Sequence, residues 1–127
     1  MDKYSHKETW SRRGEDFNIE VTRWEYVSSE GPHYNWNVYC YIFPKHKLFD
    51  IPLTESMSDC PVNNLHCGCT LARWNKDASN EVMSKQYGSD YSHILDDGME
   101  RVKDPGYARN VFNDAEDLFQ ELEARNK

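Results

Sequence analysis

The strongest β-strand signal in this sequence is the run Asn35-Trp36-Asn37-Val38-Tyr39-Cys40-Tyr41-Ile42-Phe43. From Val38 onward, apolar or aromatic side chains fall on both sides of the run, which is typical of a central strand covered on both faces. Pro44 follows directly. Because proline cannot donate a hydrogen bond to a neighbouring strand, we expect the strand to end there.

Alternating polar and apolar residues predict further strands on both sides of this one. Residues 17–22 alternate with period two, and we expect residues 24–27 to extend that strand through a bulge. The preceding residues 11–16 are predicted to form a turn. Downstream, residues 65–74 are predicted as a strand and residues 81–86 as a shorter one.

An amphipathic helix is predicted at the C-terminal end. Asp104 and Pro105 supply an N-cap and a proline at the first helical position. The apolar stripe that follows consists of Val111, Phe112, Ala115, Leu118, Phe119 and Leu122. Such a stripe favours a helix that lies on a sheet. The predicted fold class is therefore α+β: a small, mainly antiparallel sheet with the C-terminal helix packed on one face.

Length and charge limit the classes of function. The 127 residues suit a single domain spanning residues 1–127, of which the polar residues 1–9 are expected to be flexible. A net charge of −7 disfavours a nucleic-acid binder that depends on bulk charge and suits a protein that meets basic surfaces. No apolar run is long enough for a bilayer, so we expect a cytoplasmic protein without a membrane partner. The sequence leaves open whether the protein forms a homo-oligomer.

The four cysteines, Cys40, Cys60, Cys67 and Cys69, lie in a chain expected to be cytoplasmic, where thiols stay reduced. The C-x-C spacing of Cys67 and Cys69 differs from the usual zinc knuckle. Two interpretations are open for these residues: small buried hydrophobic side chains, or ligands of a thiolate-bound metal.

A second constellation consists of His46, His66, Asp90 and His93, with Asp97 close by, each at a strand end or beside a turn. Together these side chains could hold a divalent metal with open positions, or serve as acid and base on a phosphoester. They could equally bind a nucleotide phosphate through hydrogen bonds. The third interpretation is that the histidines donate to carbonyl groups and fix the loops.

The predicted helix carries a row of acidic residues: Asp114, Glu116, Asp117, Glu121 and Glu123. This face either mimics an array of phosphates toward a basic partner or is simply solvated. Aromatic side chains in strands more often belong to the core, but six of them could stack on a base. These are Trp36, Tyr39, Tyr41, Trp74, Tyr87 and Tyr91.

Three segments resemble motifs of a group of small phage and prophage proteins. The segments are Phe43-Pro44-Lys45-His46-Lys47-Leu48-Phe49, Leu65-His66-Cys67-Gly68-Cys69-Thr70 and Gly88-Ser89-Asp90-Tyr91-Ser92-His93. The group's motifs run Pro-x-Gly-His-Pro-Leu-Tyr, His-Gly-Gly-x-Thr and Gly-x-Asp-x-x-His-x-x-Asp, in the same order and followed by a C-terminal helix. The likeness covers about residues 36–122.

The resemblance implies a phage setting and a site formed by His46, His66, Asp90 and His93, with Asp96 at the closing aspartate. The chain departs from the group at Cys67, which replaces the first glycine of His-Gly-Gly, and around His46, where lysines replace glycine and proline.

The function we expect is that of a phage-encoded accessory protein that binds a host component and inhibits an antiviral defence. It would either sequester a nucleotide-type signal at His46, His66, Asp90 and His93, or block a host defence protein with its acidic surface. The alternative is a small metal-dependent phosphoesterase that uses the same four residues as metal ligands. Whether the protein is an enzyme, and whether a divalent metal is its cofactor, is left open by the sequence.

Overall fold

The computed structural model describes residues 6–29, 31–50, 60–66, 68–91 and 98–127. Within these residues the chain forms an antiparallel five-stranded sheet and one C-terminal α-helix, which confirms a mixed α+β fold. The elements are β1 His6–Gly14, β2 Phe17–Ser28, β3 Gly31–Ile42, β4 Leu71–Lys76, β5 Val82–Asp90 and α1 Arg109–Ala124. The strand order across the sheet is β1-β2-β3-β5-β4.

The strand β3 lies at the centre of the sheet, between β2 and β5, as predicted. Its even-numbered residues from Tyr34 to Ile42 are buried. On the other side Asn37 is buried, and Asn35, Tyr39 and Tyr41 are half-buried. Both sides of β3 are therefore covered, the side of Trp36 more completely. We call the face that carries Trp36 the Trp36 face and the face that carries Tyr39 and Tyr41 the polar face.

The hairpin of β1 and β2 differs from the sequence prediction. Residues 11–14 belong to β1, and only Glu15 and Asp16 form the turn, with Asp16 at a positive φ of 64°. Residues 6–9, expected to be flexible, are paired with β2. The edge strand was missed because its side chains are mostly exposed and polar, and so carry no apolar alternation. The β2 strand pairs without a register shift, so the expected bulge is not formed.

The segment before β4 also differs from the sequence prediction. Residues 65–66 and 68–70 do not continue the strand, because Gly68 takes a positive φ of 88° and its N–H donates to the carbonyl of Leu65 at 2.9 Å. A left-handed glycine breaks the extended conformation that a strand requires. In contrast, β5 continues past the predicted end at residue 86 to Asp90.

The apolar stripe predicted for α1 is buried at five of its six positions. The buried residues are Val111, Ala115, Leu118, Phe119 and Leu122. Phe119 contacts Phe17 of β2 with ring centroids 5.1 Å apart, and the half-buried Phe112 meets Trp10 of β1 edge-on at 5.6 Å. Asp104 caps a 3₁₀ turn, Pro105–Tyr107, through the N–H of Gly106, so the α-helix itself begins at Arg109.

Candidate functional site

His46 is buried, with only 2 % of its surface exposed, and its ring meets Phe17 edge-on at 5.7 Å. Its Nδ1 accepts a hydrogen bond from the N–H of Leu48 at 3.0 Å. The proton therefore lies on Nε2, which donates to the carbonyl of Leu122 at 2.9 Å. Because both ring nitrogens are used, His46 fastens the loop after β3 to the end of α1. This matches the third interpretation, a histidine that fixes a loop.

His66 lies in a different environment, stacked on Tyr91. Their ring centroids are 4.2 Å apart with an interplanar angle of 11°. The hydroxyl of Tyr91 donates to Oδ2 of Asp114 at 2.5 Å, and Nδ1 of His66 lies 3.9 Å from the same oxygen. The side chains of His66 and Asp114 are 22 % and 38 % exposed. These three residues form a polar cluster that reaches solvent beside α1.

Asp90, the last residue of β5, pairs with Asn37 of β3 and so belongs to the polar face. Its charge acts on Tyr39: burial raises the pKa of that phenol, and the carboxylates of Glu20 and Asp90 raise it further. The neighbouring Tyr41 donates to Glu20 at 3.3 Å. Asp90 is thus part of the electrostatics of the polar face, whereas His46 and His66 contact residues of α1.

His46 and His66, two members of the predicted constellation, contact different parts of α1. The helix residues that His46 and His66 approach, Leu122 and Asp114, are separated by roughly 12 Å along the helix axis. His93, and the aspartates at 96 and 97, lie outside the described residues. Among the residues that the structure does describe, no group of three histidine, cysteine or acidic side chains is arranged to hold a metal ion.

A groove between β1 and α1 was not anticipated from the sequence. Its floor contains the apolar side chains of Ile19, Val21 and Ala115, and its walls are Trp10 and Phe112. The cavity volume is about 180 Å³, and a second depression lined by the same two aromatic rings continues it toward Pro105 and Arg109.

Trp10 and Arg12 determine the shape of this groove. Trp10 stacks on the buried Trp36 with centroids 5.6 Å apart, which fixes its ring as one wall. The guanidinium of Arg12 bonds Glu116 of α1 and lies 3.7 Å from the ring centroid of Phe119. Arg12 falls in the segment predicted as a turn, and Trp10 stands between that turn and the residues expected to be flexible. The period-two spacing of Trp10, Arg12 and Gly14 before the two-residue Glu15–Asp16 turn is the signal that could have found the strand.

The acidic residues of α1 divide into two groups. Glu121 is 8 % exposed and accepts hydrogen bonds from the backbone N–H groups of Asn63 and Asn64 and from Arg125. Burial opposes the ionisation of Glu121, but these donors outweigh it and lower its pKa. Asp114 is engaged by Tyr91, as described above. The remaining acids lie on an exposed stripe consisting of Asn113, Glu116, Asp117, Gln120 and Glu123.

The α-helix in the described part of the chain is not long and apolar enough to cross a membrane. No family model matches the chain, and no curated protein or solved structure shows significant similarity to it.

Proposed function

We propose that this chain is a phage-encoded accessory protein that binds a host defence protein in the cytoplasm and blocks it, and that it does so without catalysis. The groove between β1 and α1 is the recognition surface, and α1 lies across one face of the sheet to form its second wall. The observation that carries the proposal is the composition of the groove, which combines an apolar floor, two aromatic walls and a charged rim.

The composition of the groove fits a peptide segment. Protein interfaces commonly combine a desolvated apolar centre with aromatic anchors and a polar rim. Trp10 and Phe112 supply the aromatic walls, and the Arg12–Glu116 pair supplies part of the rim. Moreover, β1 lies at one end of the strand order, so its outer edge is placed to pair with an added strand.

The charge of the surface beside the groove determines which kind of peptide segment the groove can bind. The exposed stripe of α1 carries three carboxylates, Glu116, Asp117 and Glu123, with no lysine or arginine among its members. With a net charge of −7, the protein attracts basic surfaces and repels phosphates. We therefore infer that the occupant is an extended segment with an apolar or aromatic anchor flanked by Lys or Arg.

Selection from a displayed random peptide library, followed by titration of the enriched peptides, tests this proposal. Enriched sequences should contain an apolar anchor beside basic residues. The double reversal Asp117→Lys with Glu123→Lys should weaken binding by about a hundredfold, and more steeply at low salt. The matched control, Asp50→Lys with Glu81→Lys, changes net charge equally at exposed sites that neither line the groove nor belong to the stripe. Equal weakening by both pairs, or enrichment of acidic peptides, contradicts the proposal.

A second candidate function is the sequestration of a nucleotide-type signal at His66, Tyr91 and Asp114. The observation that favours it is the stacked imidazole and phenol, because aromatic faces bind bases by stacking. Incubation with cyclic nucleotides, followed by heat release, distinguishes the outcomes. Intact nucleotide that is retained by the wild type and lost in His66→Ala supports sequestration. Cleaved nucleotide supports the phosphoesterase, and no retention leaves the groove as the binding site.

A further inference from the structure

On the polar face of the sheet, a tyrosine ring lies over the backbone of a neighbouring strand. Tyr39 of β3 pairs with Gly88 of β5. A Cβ atom added to Gly88 would lie only 2.3 Å from Cδ1 of Tyr39, so the ring occupies the space that a side chain at position 88 would need. Tyr39 is half-buried. The ring therefore rests on β5 with one side, and its exposed part is accessible to a ligand.

Two carboxylates lie near this ring, one on each neighbouring strand. Glu20 of β2 is the direct cross-strand neighbour of Tyr39, and Asp90 of β5 follows Gly88 by two residues on the same face. Because β3 separates them, the backbones of their strands are roughly 10 Å apart. Both acidic residues are half-buried, so their side chains also reach solvent.

The surroundings of the ring are negatively charged on one side and positively charged on the other. Arg73 of β4 pairs with Gln86 and donates from Nε to its Oε1 at 2.9 Å. Gln86 precedes Gly88 by two residues, whereas Asp90 follows it, so Arg73 and Asp90 lie toward opposite ends of the ring's surroundings. The charge is therefore more negative toward Asp90.

A ring between two carboxylates matches the chemistry of a guanidinium group. This group is planar, stacks on aromatic rings and carries five N–H donors for carboxylates on more than one side. We propose that Tyr39, Glu20 and Asp90 form a binding site for an arginine side chain of a partner protein. The guanidinium stacks on the exposed part of the ring and donates to the two carboxylates. Phosphate groups are repelled by the same charges.

This site is distinct from the groove between β1 and α1. Trp10, one wall of the groove, stacks on Trp36, which belongs to the other face of the sheet. The inference therefore goes beyond the proposed function and does not depend on it, since either surface can fail to bind while the other binds.

Titration of the full-length protein with N-acetyl-arginine amide, followed by NMR, tests the proposal. The amide signals of Gly88 and Asp90 should shift with a Kd on the order of 1 mM, and binding should weaken as salt is added. The matched probe, N-acetyl-citrulline amide, has nearly the same shape without the charge and should cause no shift. Equal shifts with both compounds, shifts only around Trp10 and Phe112, or no shifts well above this Kd would each overturn the proposal.

Substitutions then test the role of each side chain. Tyr39→Leu should weaken binding of the arginine compound about fivefold. Because that change could disturb the packing over Gly88, Glu20→Gln provides a second test: it keeps an acceptor oxygen for Tyr41, which donates to Glu20 at 3.3 Å, but removes the charge.

Glu20→Gln should weaken binding about threefold to fivefold, whereas Arg73→Gln should strengthen it about twofold by removing a like charge. The exposed Glu81→Gln changes net charge as Glu20→Gln does and should leave the Kd unchanged. Equal effects of the substitutions at Glu20 and Glu81, or weaker binding by Arg73→Gln, would contradict the proposed site.

Discussion

Two loops are fastened to α1 in different ways. The loop after β3 uses His46, a buried ring that donates to the carbonyl of Leu122. The loop that carries residues 60–66 uses carboxylates of the helix instead: Glu121 accepts from the backbone of Asn63 and Asn64, and Asp114 lies beside His66. One attachment is buried within the core, and the other depends on ionised side chains near the surface.

The difference teaches that histidines in similar-looking motifs can have opposite roles. Both His46 and His66 precede small or polar residues in loops, and the sequence placed both in one site. Tertiary contacts decide between them: His46 meets Phe17 and a helix carbonyl. His66, itself partly exposed, meets a buried phenol and a carboxylate that reaches solvent. If this contrast is correct, the two loops should respond differently to mutation and to acid.

The largest effect is expected for His46→Ala. The substitution removes a buried ring and leaves the carbonyl of Leu122 and the N–H of Leu48 without their partner. We expect the free energy of unfolding to fall by about 3 kcal/mol, since each unsatisfied buried group costs about 1–3 kcal/mol. Urea denaturation monitored by tryptophan fluorescence measures this change.

The exposed His6 offers a matched control, because His6→Ala removes an imidazole of the same size from the surface. It should change the free energy of unfolding by less than about 0.5 kcal/mol. A small effect at His46, comparable to that at His6, would contradict the buried attachment and return His46 to the list of ligand candidates.

An intermediate effect, with a pH dependence, is expected for Glu121→Gln. Hydrogen bonds hold the pKa of Glu121 below its usual value, so its carboxylate stabilises the folded state above the unfolded pKa of ~4.3. That contribution is lost as the pH falls through the lowered folded pKa. At pH 7 the variant should lose about 1.5 kcal/mol of unfolding free energy, because hydrogen bonds to charged groups are stronger than neutral ones.

Urea titrations of both proteins between pH 7 and about pH 3 check this prediction. The difference in unfolding free energy between wild type and Glu121→Gln should shrink toward acid pH. The exposed Glu123→Gln serves as the control and should leave the acid limb unchanged. A difference that grows on acidification would show that Glu121 does not act as an ionised acceptor.

Much of the fold could be predicted from the sequence, and the errors of the prediction have a common physical cause. The central strand and α1 carry long periodic apolar patterns because both bury one side. The β1 strand lies at the sheet's edge with exposed side chains, so its pattern is weak and it was mistaken for a turn. The segment 65–70 was mistaken for a strand because apolar alternation cannot reveal the positive φ of Gly68.

The candidate sites depended on three-dimensional contacts that no local pattern contains. Asp114 was visible only as one of several helix acids, and Tyr91 as one of several aromatic residues. The contacts that Tyr91 and Asp114 make with each other and with His66 bring together residues from separate parts of the chain. The groove likewise needs β1, which the sequence did not predict.

The smallest effect on stability, and the sharpest test of the contrast, is expected for His66→Ala. The ring is partly exposed and its loss removes one stacking contact, so the free energy of unfolding should fall by only about 0.5–1 kcal/mol. If the cluster of His66, Tyr91 and Asp114 binds a nucleotide, retention of cyclic nucleotides should disappear although the protein stays folded. A loss of stability as large as that of His46→Ala would instead make His66 a second buried attachment, and the two loops would no longer differ in kind.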